Sequence, residues 1–93
     1  MQTDSTTAPS VAEGEVLVKS VAFTPKEVRA TAGKAVTWKF DDGGLEHTVT
    51  ADDKSFDSGR MSSGTYARTF AAPGTINYHC EVHARMRGTI IVG

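Results

Sequence analysis

The strongest constraint in this sequence is a series of short segments, from about Gly14 onward, in which apolar and polar residues alternate. A period of two places alternate side chains on one face of a β-strand, whereas a helix needs a period near 3.6 residues. The apolar positions of the first three segments are Val16 and Val18, Val28 and Ala30, and Val36, Trp38 and Phe40. No stretch of useful length follows the helical period. The chain is therefore predicted to be all-β.

Turn-forming residues separate these segments and set the number of strands. Three glycine-containing turns occupy residues 32–34, 41–44 and 72–74. The later strands are predicted over residues 65–70, 75–80 and 88–92. About seven or eight short strands predict a Greek-key β-sandwich, in which two sheets face each other across one core. The aromatic residues expected in that core are Trp38, Phe40, Tyr66, Phe70 and Tyr78.

Length and composition limit the domain organisation. The 93 residues leave room for one domain. The opening residues are too polar for a signal peptide, and no stretch approaches the roughly 18 apolar residues of a membrane span. We expect residues 1–13 to be a flexible leader and residues 14–93 to form a soluble domain. The irregular stretch 51–63 is predicted to wrap one edge of the sandwich, with Met61 as packing.

The net charge and the number of cysteines limit which binding partners and which covalent cross-links the chain can have. Ten basic and eleven acidic side chains give a formal charge of −1, which provides no electrostatic footprint for nucleic acid or an anionic membrane. One cysteine excludes a disulfide within the chain. Because a chain of this size has a small core, a bound metal ion would contribute strongly to its stability.

Four candidate metal donors occur in two segments, His47 in the first and Cys80, His83 and Met86 in the second. Strand parity places Cys80 on the core face and the neighbouring His79 on the outer face, so His79 is predicted to be a solvated strand histidine. Parity also directs His47 inward, where it can face Cys80 across the sheets. The spacing C-x2-H-x2-M allows one tight loop to turn three side chains toward a common point.

The combination of donor types favours copper. A thiolate and a thioether are soft ligands, imidazole suits both copper oxidation states, and two histidines with a cysteine and a weak axial methionine are typical of electron-transfer copper sites. Zinc is disfavoured, because structural zinc sites favour paired cysteines and rarely use a thioether. The residues therefore predict a mononuclear copper site.

Beyond the leader, the chain resembles the cupredoxins, the small blue copper proteins. The resemblance rests on Phe23-Thr24-Pro25 and the strand pattern that follows it, on residues 70–80, FAAPGTINYHC, and on residues 86–92, MRGTIIV. The two-residue gaps on both sides of His83 resemble the ligand loop of the amicyanins, whereas plastocyanins and pseudoazurins carry longer loops.

The resemblance implies a role for each candidate residue. His47, Cys80 and His83 would be equatorial ligands, with both histidines binding through Nδ1, and Met86 would be the axial ligand. It also implies a bacterial extracytoplasmic electron carrier, periplasmic or tethered in a longer precursor, that is not an enzyme. Redox partners would dock transiently near His83, and we expect the carrier to be a monomer.

Several residues depart from the cupredoxin pattern. Many relatives have Asn after the first ligand histidine and Ser or Thr after the cysteine, where this chain has Thr48 and Glu81. The amicyanin loop usually has prolines at the positions of Val82 and Ala84. We expect the backbone N–H of Thr48 to donate to the sulfur of Cys80. The N–H that Val82 retains could donate a second hydrogen bond to it.

Other functions are compatible with the same residues. A copper-delivery module would bind Cu(I) and pass it on rather than keep it through redox cycles. Thiol catalysis would use Cys80 activated by His83. A sandwich used only for adhesion would leave the converging donors unexplained.

Overall fold

The computed structural model describes residues 13–93, which form eight strands and no helix. The strands are β1 (Glu15–Lys19), β2 (Ala22–Thr24), β3 (Glu27–Ala30), β4 (Ala35–Phe40), β5 (Thr50–Ala51), β6 (Gly64–Thr69), β7 (Gly74–His79) and β8 (Arg87–Val92). The later strands lie within one residue of the predicted bounds. The predicted all-β class is confirmed.

Two four-stranded sheets face each other. One has the order β2-β1-β4-β6 and the other the order β3-β8-β7-β5. The pairs β1 with β4 and β3 with β8 are parallel, and the remaining pairs are antiparallel. Most connections cross from one sheet to the other, as expected for a β-sandwich.

The core lies between the sheets and follows the predicted alternation. Every apolar position predicted for the first three segments is buried, as are Trp38, Phe40 and Tyr78. Tyr66 in β6 and Phe70 directly after it are only partly buried, because β6 is an edge strand whose other residues are exposed. The prediction that all five aromatic residues lie in the core is therefore wrong for these two, which pack against its margin.

Tyr78 occupies the centre of an aromatic cluster close to the loop between β7 and β8. Its ring centroid lies 4.7 Å from that of Phe23 and 5.5 Å from that of Trp38, both in edge-on arrangements. Across the β7–β8 pair, Tyr78 lies opposite Gly88. The hydroxyl of Tyr78 and the indole N–H of Trp38 are buried without a hydrogen-bond partner among the described residues. Burial raises the pKa of the Tyr78 hydroxyl far above its usual value.

The stretch 51–63 closes one edge of the sandwich, as predicted. Phe56 is buried in the core, and its carbonyl accepts a hydrogen bond of 2.9 Å from the N–H of Ala51. The predicted leader, residues 1–13, lies outside the described residues except for Glu13, whose carboxylate accepts a hydrogen bond of 3.0 Å from the Thr31 hydroxyl. Within residues 13–93 there is no helix long and apolar enough to cross a membrane.

Candidate metal centre

His47 lies just before β5, in a short bridge to Met61. The N–H of each residue donates to the carbonyl of the other, at 3.0 and 2.9 Å. The imidazole is fully buried, at 0% exposure, so the predicted inward orientation is confirmed. The continuous strand begins only at Thr50, and the bridge to Met61 therefore fixes the His47 backbone.

One tight loop between β7 and β8 carries the other three candidates. The N–H of Cys80 donates to the carbonyl of Met86 at 3.0 Å, and the N–H of Met86 donates to the carbonyl of His83 at 3.0 Å. These two hydrogen bonds close the loop and direct side chains from both of its ends toward one region. Met86 is 2% exposed, while His83 is partly buried.

Three donor atoms converge beneath this loop. The sulfur of Cys80 lies 3.8 Å from Nδ1 of His47 and 3.8 Å from Nδ1 of His83, and all three atoms lie within 4.8 Å of one another. Metal bonds of about 2.0–2.3 Å, arranged trigonally, place neighbouring donor atoms about 3.7 Å apart. The two sulfur–nitrogen separations are therefore those expected of ligands around one ion.

The sulfur of Cys80 also receives two backbone hydrogen bonds. The N–H of Thr48 lies 3.5 Å from it and the N–H of Val82 lies 3.4 Å from it. The sequence indicated both donors, and both place the positive end of an N–H dipole against the sulfur. A buried cysteine sulfur with two imidazoles and a nearby buried methionine fits copper by the softness of its donors.

A protein-family comparison matches residues 11–93 to the family described as copper binding proteins, plastocyanin/azurin family. The chain belongs to this family. Its members are the cupredoxins, which bind copper and transfer electrons. The amicyanin-like spacing of the ligand loop is consistent with the relatives described next.

Among curated proteins, amicyanin-alpha of Methylorubrum extorquens is 36% identical over 84 residues, which cover 84% of this chain and 70% of the relative. Halocyanin of Natronomonas pharaonis is 33% identical over 78 residues, or 76% of this chain and 48% of the relative. This cupredoxin thus spans about half the length of that second relative.

Solved structures agree with the fold. Amicyanin from Paracoccus versutus superposes with a TM-score of 0.74 at 29% identity, covering 94% of this chain and 86% of that one. A purple cupredoxin from Nitrosopumilus maritimus gives a TM-score of 0.78 at 19% identity, over 85% of this chain and 98% of that one. The second likeness supports the sandwich architecture alone.

In this cupredoxin, a chain of hydroxyl groups links the two ligand segments. The N–H of Glu81 donates to the hydroxyl oxygen of Thr48 at 2.8 Å, which lies 2.8 Å from the Thr50 hydroxyl. The Thr50 hydroxyl donates to the carboxylate of Asp57 at 3.1 Å. Because that carboxylate only accepts, Thr48 must donate to Thr50, and every hydroxyl is satisfied. Thr48 therefore links the two ligand segments through its side chain, although it stands where many relatives have Asn.

We expect replacement of Thr48 by valine to lower the free energy of unfolding by about 1–3 kcal/mol, because the N–H of Glu81 and the buried hydroxyl of Thr50 both lose the Thr48 hydroxyl as a partner. Chemical denaturation of the metal-free protein would measure this loss. Thr48→Ser, which keeps the hydroxyl, is the matched control and should retain most of the stability. Equal losses in the two variants would contradict a role for the hydroxyl.

The ring of His47 has a carboxylate partner on the side away from the sulfur. Nε2 of His47 lies 2.8 Å from Oδ2 of Asp42, whose carboxylate also accepts the backbone N–H groups of Ser20 and Val21, each at 3.0 Å. The hydrogen bond to His47 and then those from Val21 and Ser20 hold the pKa of Asp42 below its usual value. Sequence reasoning missed Asp42, and its position five residues before a candidate ligand histidine is the only signal.

His79 points outward, as parity predicts, and does not join the metal centre. Its two ring nitrogens contact the carboxylates of Asp52 at 2.6 Å and Glu81 at 2.7 Å, and Lys54 contacts Glu81 at 2.9 Å. Hydrogen bonds to Asp52 and then Glu81 raise the pKa of His79. The side chain is only 19% exposed, so the prediction of a solvated histidine is wrong, because the sequence does not show that two carboxylates enclose the ring.

Proposed function

We propose that this cupredoxin carries single electrons through one copper ion held by His47, Cys80 and His83 as equatorial ligands and Met86 as the axial ligand. The observation that carries the proposal is the convergence of two Nδ1 atoms and one sulfur within 4.8 Å. Copper supplies the redox chemistry by alternating between Cu(I) and Cu(II).

The residues of the chain keep this geometry through both oxidation states. The Met61 bridge holds His47 just before the edge strand β5, and the hydrogen bonds from Cys80 to Met86 and from Met86 to His83 hold the loop between the central strands β7 and β8. Since little has to move when an electron arrives, transfer is fast and no substrate needs to bind. We therefore infer a carrier and not an enzyme.

The surface above His83 is the proposed docking site for redox partners. His83 is partly buried, while Ala84 and Arg85 in the same loop are exposed and Leu45 is 43% exposed. An apolar surface with nearby positive charge suits small, short-lived contacts with an acidic partner protein. We propose that the carrier acts as a monomer.

The proposal also covers where the protein works and which residues form its copper-binding domain. The ligand loop of this chain resembles that of the amicyanins, and this resemblance implies a bacterial extracytoplasmic carrier. We therefore propose an extracytoplasmic location. We propose residues 14–93 as the copper-binding domain, to which the family match from residue 11 and the hydrogen bond of Glu13 add the last residues of the predicted leader.

Addition of Cu(II) to the metal-free protein tests the proposal. Intense visible absorption should develop and reach its maximum at one ion per chain, because a thiolate bound to Cu(II) in a trigonal site gives charge-transfer colour. The colour should then survive repeated reduction and oxidation in the presence of a copper chelator. A colourless complex would refute the blue copper site, and loss of copper during cycling would instead favour a delivery module.

We expect replacement of Val82 by proline to lower the reduction potential. Proline has no N–H, so the sulfur loses the hydrogen bond of 3.4 Å that favours the reduced ion. A net hydrogen bond of about 1 kcal/mol corresponds to roughly 40 mV for one electron. Voltammetry would measure the shift. Val82→Ala, which keeps the N–H, is the control, and a proline variant with an unchanged potential would refute this role.

A further inference from the structure

Asp42 lies beside the metal centre and contacts the ring of His47, but it is not one of the proposed metal ligands. Its carboxylate is 17% exposed and contacts the ring nitrogen of His47 that faces away from Cys80. The other ring nitrogen, Nδ1, is the atom 3.8 Å from the sulfur. One imidazole thus joins a carboxylate on one side to the donor cluster on the other.

The carboxylate settles which nitrogen of His47 carries a proton. At neutral pH an ionised carboxylate only accepts hydrogen bonds, so the contact of 2.8 Å requires a proton on Nε2. In the neutral ring Nδ1 then keeps its lone pair for a metal ion. Because a carboxylate behind a ligating imidazole also raises the basicity of the ring, it stabilises the more highly charged ion.

The Asp42 carboxylate is itself held in place by the turn between β1 and β2. Its two oxygens accept the N–H groups of Ser20 and Val21, each at 3.0 Å. Both residues adopt left-handed backbone conformations, with φ of 57° and 53°. Such conformations are unfavourable for residues other than glycine, and for valine especially. The unusual backbone conformation of the turn directs both N–H groups toward the Asp42 carboxylate. If the carboxylate rotated away from His47, it would lose these two hydrogen bonds.

We propose that Asp42 is a positioning residue for the copper site, which fixes the Nε2–H form of His47, presents Nδ1 to the metal and favours Cu(II) over Cu(I). The proposal rests on the copper function proposed above, but its first test needs no copper.

The first test uses the metal-free wild-type protein and nitrogen NMR of the histidine rings near pH 8, where an ordinary histidine is neutral. We expect His47 to carry its proton on Nε2, with slow hydrogen exchange because the ring is fully buried. A proton on Nδ1 would overturn the proposal. A colourless wild-type copper complex would instead refute the proposed function and leave this tautomer result intact.

The second test compares Asp42→Asn with Asp41→Asn, which makes the same change of charge at the neighbouring exposed residue. Competition with Cu(II) and Cu(I) chelators measures both affinities. For Asp42→Asn we expect Cu(II) affinity to fall by about 10- to 100-fold, as is typical when a partner of a metal ligand is removed, with a smaller loss for Cu(I). Each tenfold difference between the two losses raises the reduction potential by about 59 mV. Asp41→Asn should leave the ratio of affinities unchanged.

A purely structural role in the turn predicts a different pattern. In that case Asp42→Asn would lower the free energy of unfolding of the metal-free protein, but its ratio of Cu(II) to Cu(I) affinity would equal that of Asp41→Asn, and the proposal would fail. Asp42→Glu, which keeps the charge, should recover part of the lost ratio. If Asp42→Asn does not fold, the affinity ratio of Asp42→Glu and the tautomer of His47 in the wild-type protein test the proposal.

Discussion

Replacement of Cys80 by serine is expected to abolish the visible absorption of the copper-loaded protein. The colour requires charge transfer from a thiolate sulfur, whereas a serine oxygen is a hard donor that keeps its proton at neutral pH. The substitution also replaces the sulfur that accepts the backbone hydrogen bonds from Thr48 and Val82 by a smaller oxygen. Absorption spectra of both proteins, recorded with one equivalent of Cu(II), would measure the loss.

Met86→Leu is the matched control for this experiment, because it changes another sulfur ligand of the proposed site. It should keep the colour, since the thiolate remains, and it should raise the reduction potential by removing the weak axial donor. Circular dichroism of the metal-free variants would verify that both retain the sandwich. A blue Cys80→Ser complex would place the chromophore elsewhere and disprove the proposed ligand set.

Much of the fold could be predicted because strand periodicity and turn chemistry are local properties. Alternation and the glycine-containing turns predicted the last three strands to within one residue, whereas the short strands β2 and β5 had no predicted bounds. Three of the four candidate donors lie in C-x2-H-x2-M, a spacing short enough to force proximity. His47 needed one further argument, strand parity, and the structure brings its Nδ1 to the sulfur.

The features that sequence analysis missed depend on contacts between distant strands. Asp42 reaches His47 only because the β1–β2 turn binds the same carboxylate, a contact 21 and 22 residues away in sequence. His79 is enclosed by Asp52, which lies 27 residues before it. Neither distance is set by a local pattern, so alternation could assign the face of each side chain but not its partner.

The close contact at Gly88 is a further feature that periodicity could not predict, and substitution of this residue should have the largest effect on stability. A Cβ atom built at Gly88 would lie 2.5 Å from the hydroxyl oxygen of Tyr78 and 2.7 Å from its Cε1. The Tyr78 ring thus lies flat against the backbone of the opposite strand. It cannot move aside, because Phe23 and Trp38 pack against it.

Gly88→Ala is therefore expected to destabilise the metal-free protein by about 3 kcal/mol or more, since overpacking a rigid core forces both side chain and backbone to shift. Denaturant unfolding would measure the loss. Gly93→Ala, at the end of the same strand, meets nothing within 4 Å and should change stability by less than about 0.5 kcal/mol. Because Tyr78 lies two residues before Cys80, displacement of its ring should also broaden the copper absorption band. Equal stability of the two variants would show that the Tyr78 ring is free to move, contrary to the packing described here.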